Sequence, residues 1–331
     1  MRIGELAGRL DGGTGSSGFA LDVVGLGALN LDYIARASVG SPSLASRIFE
    51  LVARTGPPPE WGTEGRVDDE TIHAAIEAAG SASLDTSLGG SAFNAIHAIA
   101  SAQAGLRLGY VGVAGRVPVT GVSSIQQFET LGIDHMWVLR DDEHPCGICF
   151  SLCHDGDRTL LATNGANEYM ADYLDRHFSD IVAYLAGARV VHVTSFPDAG
   201  PAGRLLAVLR AVKEANRGTL ICFDPGHTWS VDPAPAVSGI VQISDFLLVN
   251  YREFGELGGR RAGDSDREVA GRLLRRFDSD RSTIIVKHAA GIRSYWRQRD
   301  GVRSDFYPQV PCLPKTLQTP PGPATSSLPD C

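Results

Sequence analysis

The chain has 331 residues, enough to bury one large α/β core with a small appended unit. Its 43% hydrophobic and 21% charged residues are those of an ordinary globular protein. A formal net charge of −8 argues against a nucleic-acid partner, whose phosphates need a basic face, though not against a small phosphorylated ligand. No run of eighteen apolar residues occurs and six cysteines are too few for a disulfide scaffold at this length, so no membrane partner is expected and the cytoplasmic compartment is.

Residues 1–18 carry a glycine- and serine-rich run and lack the apolar core of a signal peptide, so they read as a flexible extension. Residues 19–27 form an apolar run ending in glycines, the pattern of a buried strand entering a tight turn. Helical patches follow within 41–80, broken by the prolines of 55–60, and the small apolar residues of 91–104 predict a closely packed helix. Strand-like runs come next at 108–113, 146–153 and 158–162. From residue 190 onward strands and helices alternate: strands at 190–194, 219–224, 246–250 and 283–287, helices at 204–216 and 268–277. Strands that are nearly all apolar and separated by helices predict an α/β fold, a doubly wound, mainly parallel sheet covered on both faces. Ligands of such a sheet bind at the carboxyl ends of its strands, where the polar residues deserve scrutiny.

Three sequence features bear on chemistry. Residues 25–30 read Gly-Leu-Gly-Ala-Leu-Asn; a G-x-G after a strand would open a dinucleotide site, but the third glycine is absent and 31–36 reads as another strand. Cys146, Cys149 and Cys153 have metal-like spacing, with His144 and His154 as candidate further ligands; alternatively 147–153 is a strand whose cysteines fill space as small apolar groups. Ser87-Leu-Gly-Gly-Ser-Ala-Phe-Asn94 puts two glycines at a helix entrance, where a ligand can approach the backbone, and an asparagine one turn in, able to donate to and accept from sugar hydroxyls.

Taken in order, these segments resemble the ribokinase-like (PfkB) carbohydrate and nucleoside kinases over a domain spanning 19–318. Gly27-Ala-Leu-Asn30-Leu-Asp32 is similar to the family's Gly-x-x-Asn-x-Asp, so the resemblance assigns Asn30 and Asp32, with Gly89, Gly90 and Asn94, to the substrate. Asn250-Tyr-Arg-Glu253 resembles the Asn-x-x-Glu element that organises Mg²⁺ and phosphate through water, and Lys287 and Gly291 resemble the strand-end step beside the nucleotide. Asn164-Gly-Ala-Asn167 is similar to the segment returning from a small β-sheet lid, whose pieces the resemblance places near 28–40, 107–120 and 137–165. An apolar lid face would pair two chains as a homodimer. Two departures blur the substrate: Asp224-Pro-Gly-His-Thr-Trp lacks the family's arginine, and a long insertion separates Asp32 from Gly89.

The family's Asp-Thr-Thr-Gly-Ala-Gly-Asp loop, whose amides cradle the phosphoryl group and whose last aspartate takes the acceptor's proton, does not occur in the chain. In its place 319–331 holds four prolines among thirteen residues, which suits neither a helix nor a central strand. If Gln318 is encoded by CAG, reading from the last base of that codon permits Asp-Thr-Thr-Gly-Ala-Gly-Asp-Val-Phe-Ala-Ala-Gly-Leu, so a one-base frameshift at or just before Gln318 is expected. The implied function is ATP- and Mg²⁺-dependent phosphoryl transfer to a hydroxyl of a small-molecule sugar or nucleoside, with little or no activity as written and no catalytic residue to name. The alternative is a non-catalytic sugar- or nucleoside-binding pseudokinase.

Overall fold

The computed structural model describes residues 18–36, 42–56, 60–80, 84–118, 123–154 and 157–309. The extension expected over 1–18 therefore lies outside the described residues except for Gly18, and so does all of the tail over 319–331. The strands, in chain order, are β1 (Leu21–Leu26), β2 (Asn30–Arg36), β3 (Glu64–Arg66), β4 (Leu84–Gly89), β5 (Leu108–Arg116), β6 (Asp134–Pro145), β7 (Gly147–His154) and β8 (Asp157–Thr163). They continue with β9 (Ala188–Thr194), β10 (Leu220–Asp224), β11 (Phe246–Asn250), β12 (Thr283–His288), β13 (Gly291–Gln298) and β14 (Gly301–Pro308).

A nine-stranded sheet runs β14-β13-β12-β11-β10-β9-β1-β5-β6. Its pairs from β12 to β6 are parallel, and only the β12–β13 and β13–β14 pairs are antiparallel. Its central strands are apolar because both faces are covered. Val24, Leu26, Val111, Val191 and Val193 pack with residues of the helices Phe178–Ala186 and Ala202–Ala215, while Tyr110 packs with the helix Ser91–Ser101 through Ile96. The helix Ser91–Ser101 lies so close to β1 that a Cβ on Gly25 would come 2.7 Å from Ile96 Cγ1 and 2.8 Å from Tyr110. The first glycine of the G-x-G thus serves helix–strand packing.

The second sheet has five strands, ordered β3-β8-β7-β2-β4. Period-two alternation gives it two different faces. Ala35 of β2, Ile148, Phe150 and Leu152 of β7 and Leu161 of β8 are buried against Ile48, Val52, Ile72 and Ala75, which belong to the helices Pro42–Val52 and Asp69–Ala79. Those helices lie in the insertion between Asp32 and Gly89, so the lid's outer face, expected to pair a second chain, carries two helices of its own chain. The alternate residues Asn30, Asp32, Cys149, Ser151, Arg158 and Leu160 line a cleft on the inner face.

The lid's composition corrects one expectation. Of the expected lid piece 107–120, residues 108–116 do not join it: they form β5, which sits in the large sheet between β1 and β6, and β6 takes residues 134–145 to the same sheet's edge. The lid instead draws β3 and β4 from the insertion and its C-terminal border. The physical reason is burial, since Leu108 through Ala114 are buried at every position, as suits a strand covered on both faces.

Candidate functional site

The chain leaves the large sheet at Leu26, turns through Gly27, Ala28 and Leu29, and enters the lid at Asn30. The buried Tyr110 hydroxyl lies 3.2 Å from the carbonyl oxygens of both Gly27 and Ala28, within donating distance of each. Asn167, in the 3₁₀ turn Gly165–Tyr169, holds the next two residues: its Oδ1 accepts from Leu29 N at 3.1 Å, and its Nδ2 donates to Leu29 O at 3.2 Å and Asn30 Oδ1 at 3.1 Å. The crossing from one sheet to the other is therefore pinned from two sides.

Beyond the crossing lies a cavity of about 170 Å³ between the inner lid face and the carboxyl ends of β1, β9 and β10. Asn30, Asp32, Gly90 and Asn94, four of the five residues assigned to substrate, line it together. The fifth, Gly89, stands directly behind, where a Cβ would overlap the Asp32 carboxylate. Gly90 has φ +105° at the entrance to the helix Ser91–Ser101, and a Cβ there would overlap the Ala28 carbonyl oxygen. The glycine pair thus admits the Asp32 side chain on one side and the turn backbone on the other.

Asp32 Oδ1 is buried and has no hydrogen-bond partner among the described residues. Burial, opposed by the Arg158 guanidinium and reinforced by Glu64, pushes its carboxyl up to about 6. Sequence reasoning assigned no role to Arg158 or Glu64, which enter from β8 and β3. Neither has a local motif, since each is one charged residue in a short strand, and only the pairing of β3 with β8 brings them together.

The residues assigned to phosphate and nucleotide gather at the ends of β11 and β12. Asn250 and Lys287 are register partners. Asn250 caps the helix Tyr251–Leu257 reciprocally with Glu253: Asn250 Oδ1 accepts from Glu253 N at 2.9 Å, while Asn250 N and Nδ2 donate to the Glu253 carboxylate at 2.7 and 2.6 Å. Glu253 is buried, and that burial pushes its carboxyl up to about 7, with the Asp224 and Glu64 charges adding to the rise and Lys287 and the Asn250 N–H opposing it. The Lys287 ammonium pairs with Asp224 Oδ2 at 2.8 Å, reaching back to the end of β10. Gly291 does not join this group: it opens β13 at φ +148°, and a Cβ there would overlap the Tyr307 carbonyl oxygen of β14. Its glycine is accounted for by hairpin packing. Cys149 and Cys153 lie on β7, Cys146 is buried before it, and all three thiols are free. Among the described residues no three His, Cys, Asp or Glu side chains converge to hold a metal ion, and no helix is long and apolar enough to cross a membrane.

Similar architectures are known. The Anopheles gambiae adenosine kinase, in complex with P1,P4-di(adenosine-5) tetraphosphate, superposes with TM-score 0.68 at 16% identity, covering 87% of this chain and 83% of that one. The Schistosoma mansoni adenosine kinase with 2-fluoroadenosine gives 0.69 at 15%, covering 90% and 83%. The Halothermothrix orenii fructokinase gives 0.57 at 15%, covering 86% and 84%. At such identities the likeness establishes the ribokinase-type fold. No curated protein matches the chain by sequence. Residues 69–292, well over half of the chain, match the model of the pfkB family carbohydrate kinases, and the chain belongs to that family.

Proposed function

We propose that this protein descends from an ATP-dependent kinase of a sugar or nucleoside hydroxyl, and that it keeps the acceptor half of that machinery. The observation that carries the proposal is the buried, unpartnered Asp32 oxygen in a cleft at the carboxyl ends of the parallel strands. A carboxylate so placed accepts a hydrogen bond from an acceptor hydroxyl, and Asn30 and Asn94 supply further donors and acceptors.

On the donor side the residues fit an Mg²⁺ that arrives with phosphates better than a resident ion, because Glu253 is a single buried carboxylate engaged by Asn250. ATP and Mg²⁺, when bound, supply the phosphoryl group and neutralise its charge. Glu253 would hold water at the metal's outer sphere, and Lys287, already paired with Asp224, would border the phosphates. Gly291 would shape the hairpin beside them.

The proposal includes a displaced catalytic loop. Residues 319–331 lack the glycine cradle and the base of Asp-Thr-Thr-Gly-Ala-Gly-Asp, and a one-base change of frame at Gln318 permits that peptide. With the loop displaced in this way, turnover is expected to be at most a trace. Two measurements test this. Calorimetric titration with D-ribose, D-fructose and adenosine should detect binding that Asp32→Asn abolishes; retention of binding by that variant overturns the acceptor assignment. The nucleotide sequence across codons 310–331 should read the missing motif in the shifted frame; a CAA codon at Gln318, or wobble bases spelling another peptide, removes the frameshift. In that case the acceptor cleft favours a binding protein without turnover.

A further inference from the structure

The charged residues lining the acceptor cleft are Asp32, Glu64 and Arg158, two carboxylates and one guanidinium. Glu64 comes from the insertion that separates the two substrate motifs, through a strand of only three residues. Backbone pairing and two ion pairs hold that strand. Glu64 and Arg66 register with Leu160 and Ala162 of β8, and Leu160 N donates to Thr63 O at 2.9 Å. Arg66 then ties the strand to the body below the lid: Nη1 pairs with Asp198 Oδ2 and Nη2 with Glu168 Oε1, each at 2.8 Å. Asp198 is itself fixed, because Asn164 Nδ2 donates to the same oxygen at 2.5 Å, Gly200 N donates to Oδ1 at 2.8 Å and Trp229 Nε1 donates to its carbonyl at 2.9 Å. A three-residue strand this firmly held has a placed side chain, and Glu64 is the one placed in the cleft.

We infer that Glu64 is a specificity-determining residue that restricts the acceptor to neutral polyhydroxylated compounds and excludes those bearing a carboxylate or phosphate. This rests on the acceptor-cleft reading above. Burial pushes the Glu64 carboxyl up as it does that of Asp32, and the Arg158 guanidinium opposes the rise in both, so its positive charge is already shared between them. An anionic acceptor would add a third negative charge to a cleft that offers one positive partner, and like charges held close in a poorly hydrated space disfavour binding. Neutral hydroxyls bring no such penalty and can donate to Asp32 and Glu64 and accept from Arg158.

The test titrates the full chain by calorimetry with neutral D-glucose, D-fructose, D-ribose and adenosine, and with D-glucuronate and D-fructose 6-phosphate as anionic counterparts. Wild type should bind at least one neutral probe at least about tenfold more tightly than its anionic counterpart, one decade being the discrimination expected of a single repulsive contact. Glu64→Gln, which keeps the shape and removes the charge, should narrow that gap to within about threefold by strengthening the anionic member. Arg66→Ala should narrow it too, because Arg66 does not line the cleft and its loss frees the strand that places Glu64 there. An unchanged gap in both variants, or tighter binding of the anionic probes by wild type, overturns the inference. Loss of binding in Asp32→Asn with no effect of Glu64→Gln removes only the selectivity role. Binding that survives Asp32→Asn, or no binding of any probe, removes the acceptor cleft and this inference with it.

Discussion

Asp32 holds a carboxylate oxygen out of water without giving it a partner, and that costs the empty protein stability. Its native carboxyl is raised from 3.8 to about 6, so the folded chain binds more protons than the unfolded chain between those values. The contribution of Asp32 to stability is thus greatest below about pH 4, falls as pH rises through 6, and is flat above. Asp32→Asn should relieve this cost: its melting temperature should exceed wild type at pH 8 and match it at pH 4, the difference corresponding to about 1–3 kcal/mol. Differential scanning calorimetry at the two pH values decides it, and a pH-independent offset would show that packing, not charge, governs the residue. Acceptor affinity should move the opposite way, rising between pH 5 and 7 as the carboxylate ionises. Asp32 was legible in the sequence because Gly27-Ala-Leu-Asn30-Leu-Asp32 is a compact local pattern. Glu64 and Arg158 were not, since their proximity is a fact of strand pairing across more than ninety residues of chain.

Elements explain why some glycines and asparagines near the site cannot be exchanged. The helix Ser91–Ser101 begins at Gly90 with φ +105°, against the Ala28 carbonyl. Gly90→Ala adds both a disfavoured backbone angle and an overlap with backbone that has little room to shift, so it should destabilise by roughly 2 kcal/mol or more and abolish acceptor binding. Chemical denaturation together with a sugar titration would show either effect missing. Asn167→Ala would strip the Leu29 and Asn30 crossing of its three side-chain contacts and leave buried backbone groups unpaired, a loss of roughly 2–4 kcal/mol. If the unfolding midpoint stays within a degree of wild type, the clamp is not what holds the crossing. The alternation of helix and strand after residue 190 was readable because each strand is apolar and each helix amphipathic. Which sheet a strand joins was harder, and 108–116 was misplaced although its burial at every position from Leu108 to Ala114 marks a strand covered on both sides. In the lid, β2 buries only Leu31 and Ala35, on one of its two faces. The antiparallel β13–β14 edge escaped because Arg293, Arg297, Arg303 and Asp305 mask its strand pattern.

At the scale of the whole molecule, the acceptor cleft and the strand ends assigned to phosphate are built by separate parts of the chain. The cleft takes its walls from residues between Ala28 and Gly226, with the lid above and β1, β9 and β10 below. The proposed phosphate side rests on Asn250, Glu253 and Lys287, with Lys287 paired to Asp224 at the end of β10. All of these residues belong to the described part of the chain, which ends at 309. On the proposal of a displaced catalytic loop, supplying that loop should alter chemistry without altering acceptor affinity. A variant in which Asp-Thr-Thr-Gly-Ala-Gly-Asp and the residues the proposed frame continues into replace 319–331 should leave the acceptor dissociation constant within about threefold. A base and a phosphoryl cradle each contribute factors of roughly a hundred or more, so ATP-dependent phosphorylation of the bound sugar should rise by about 10³-fold or more. A coupled ADP-release assay beside calorimetry separates the two quantities. Affinity that changes with the frame would mean that the cleft is completed by residues after 318; turnover that stays flat at constant affinity would mean that the chain evolved as a binder.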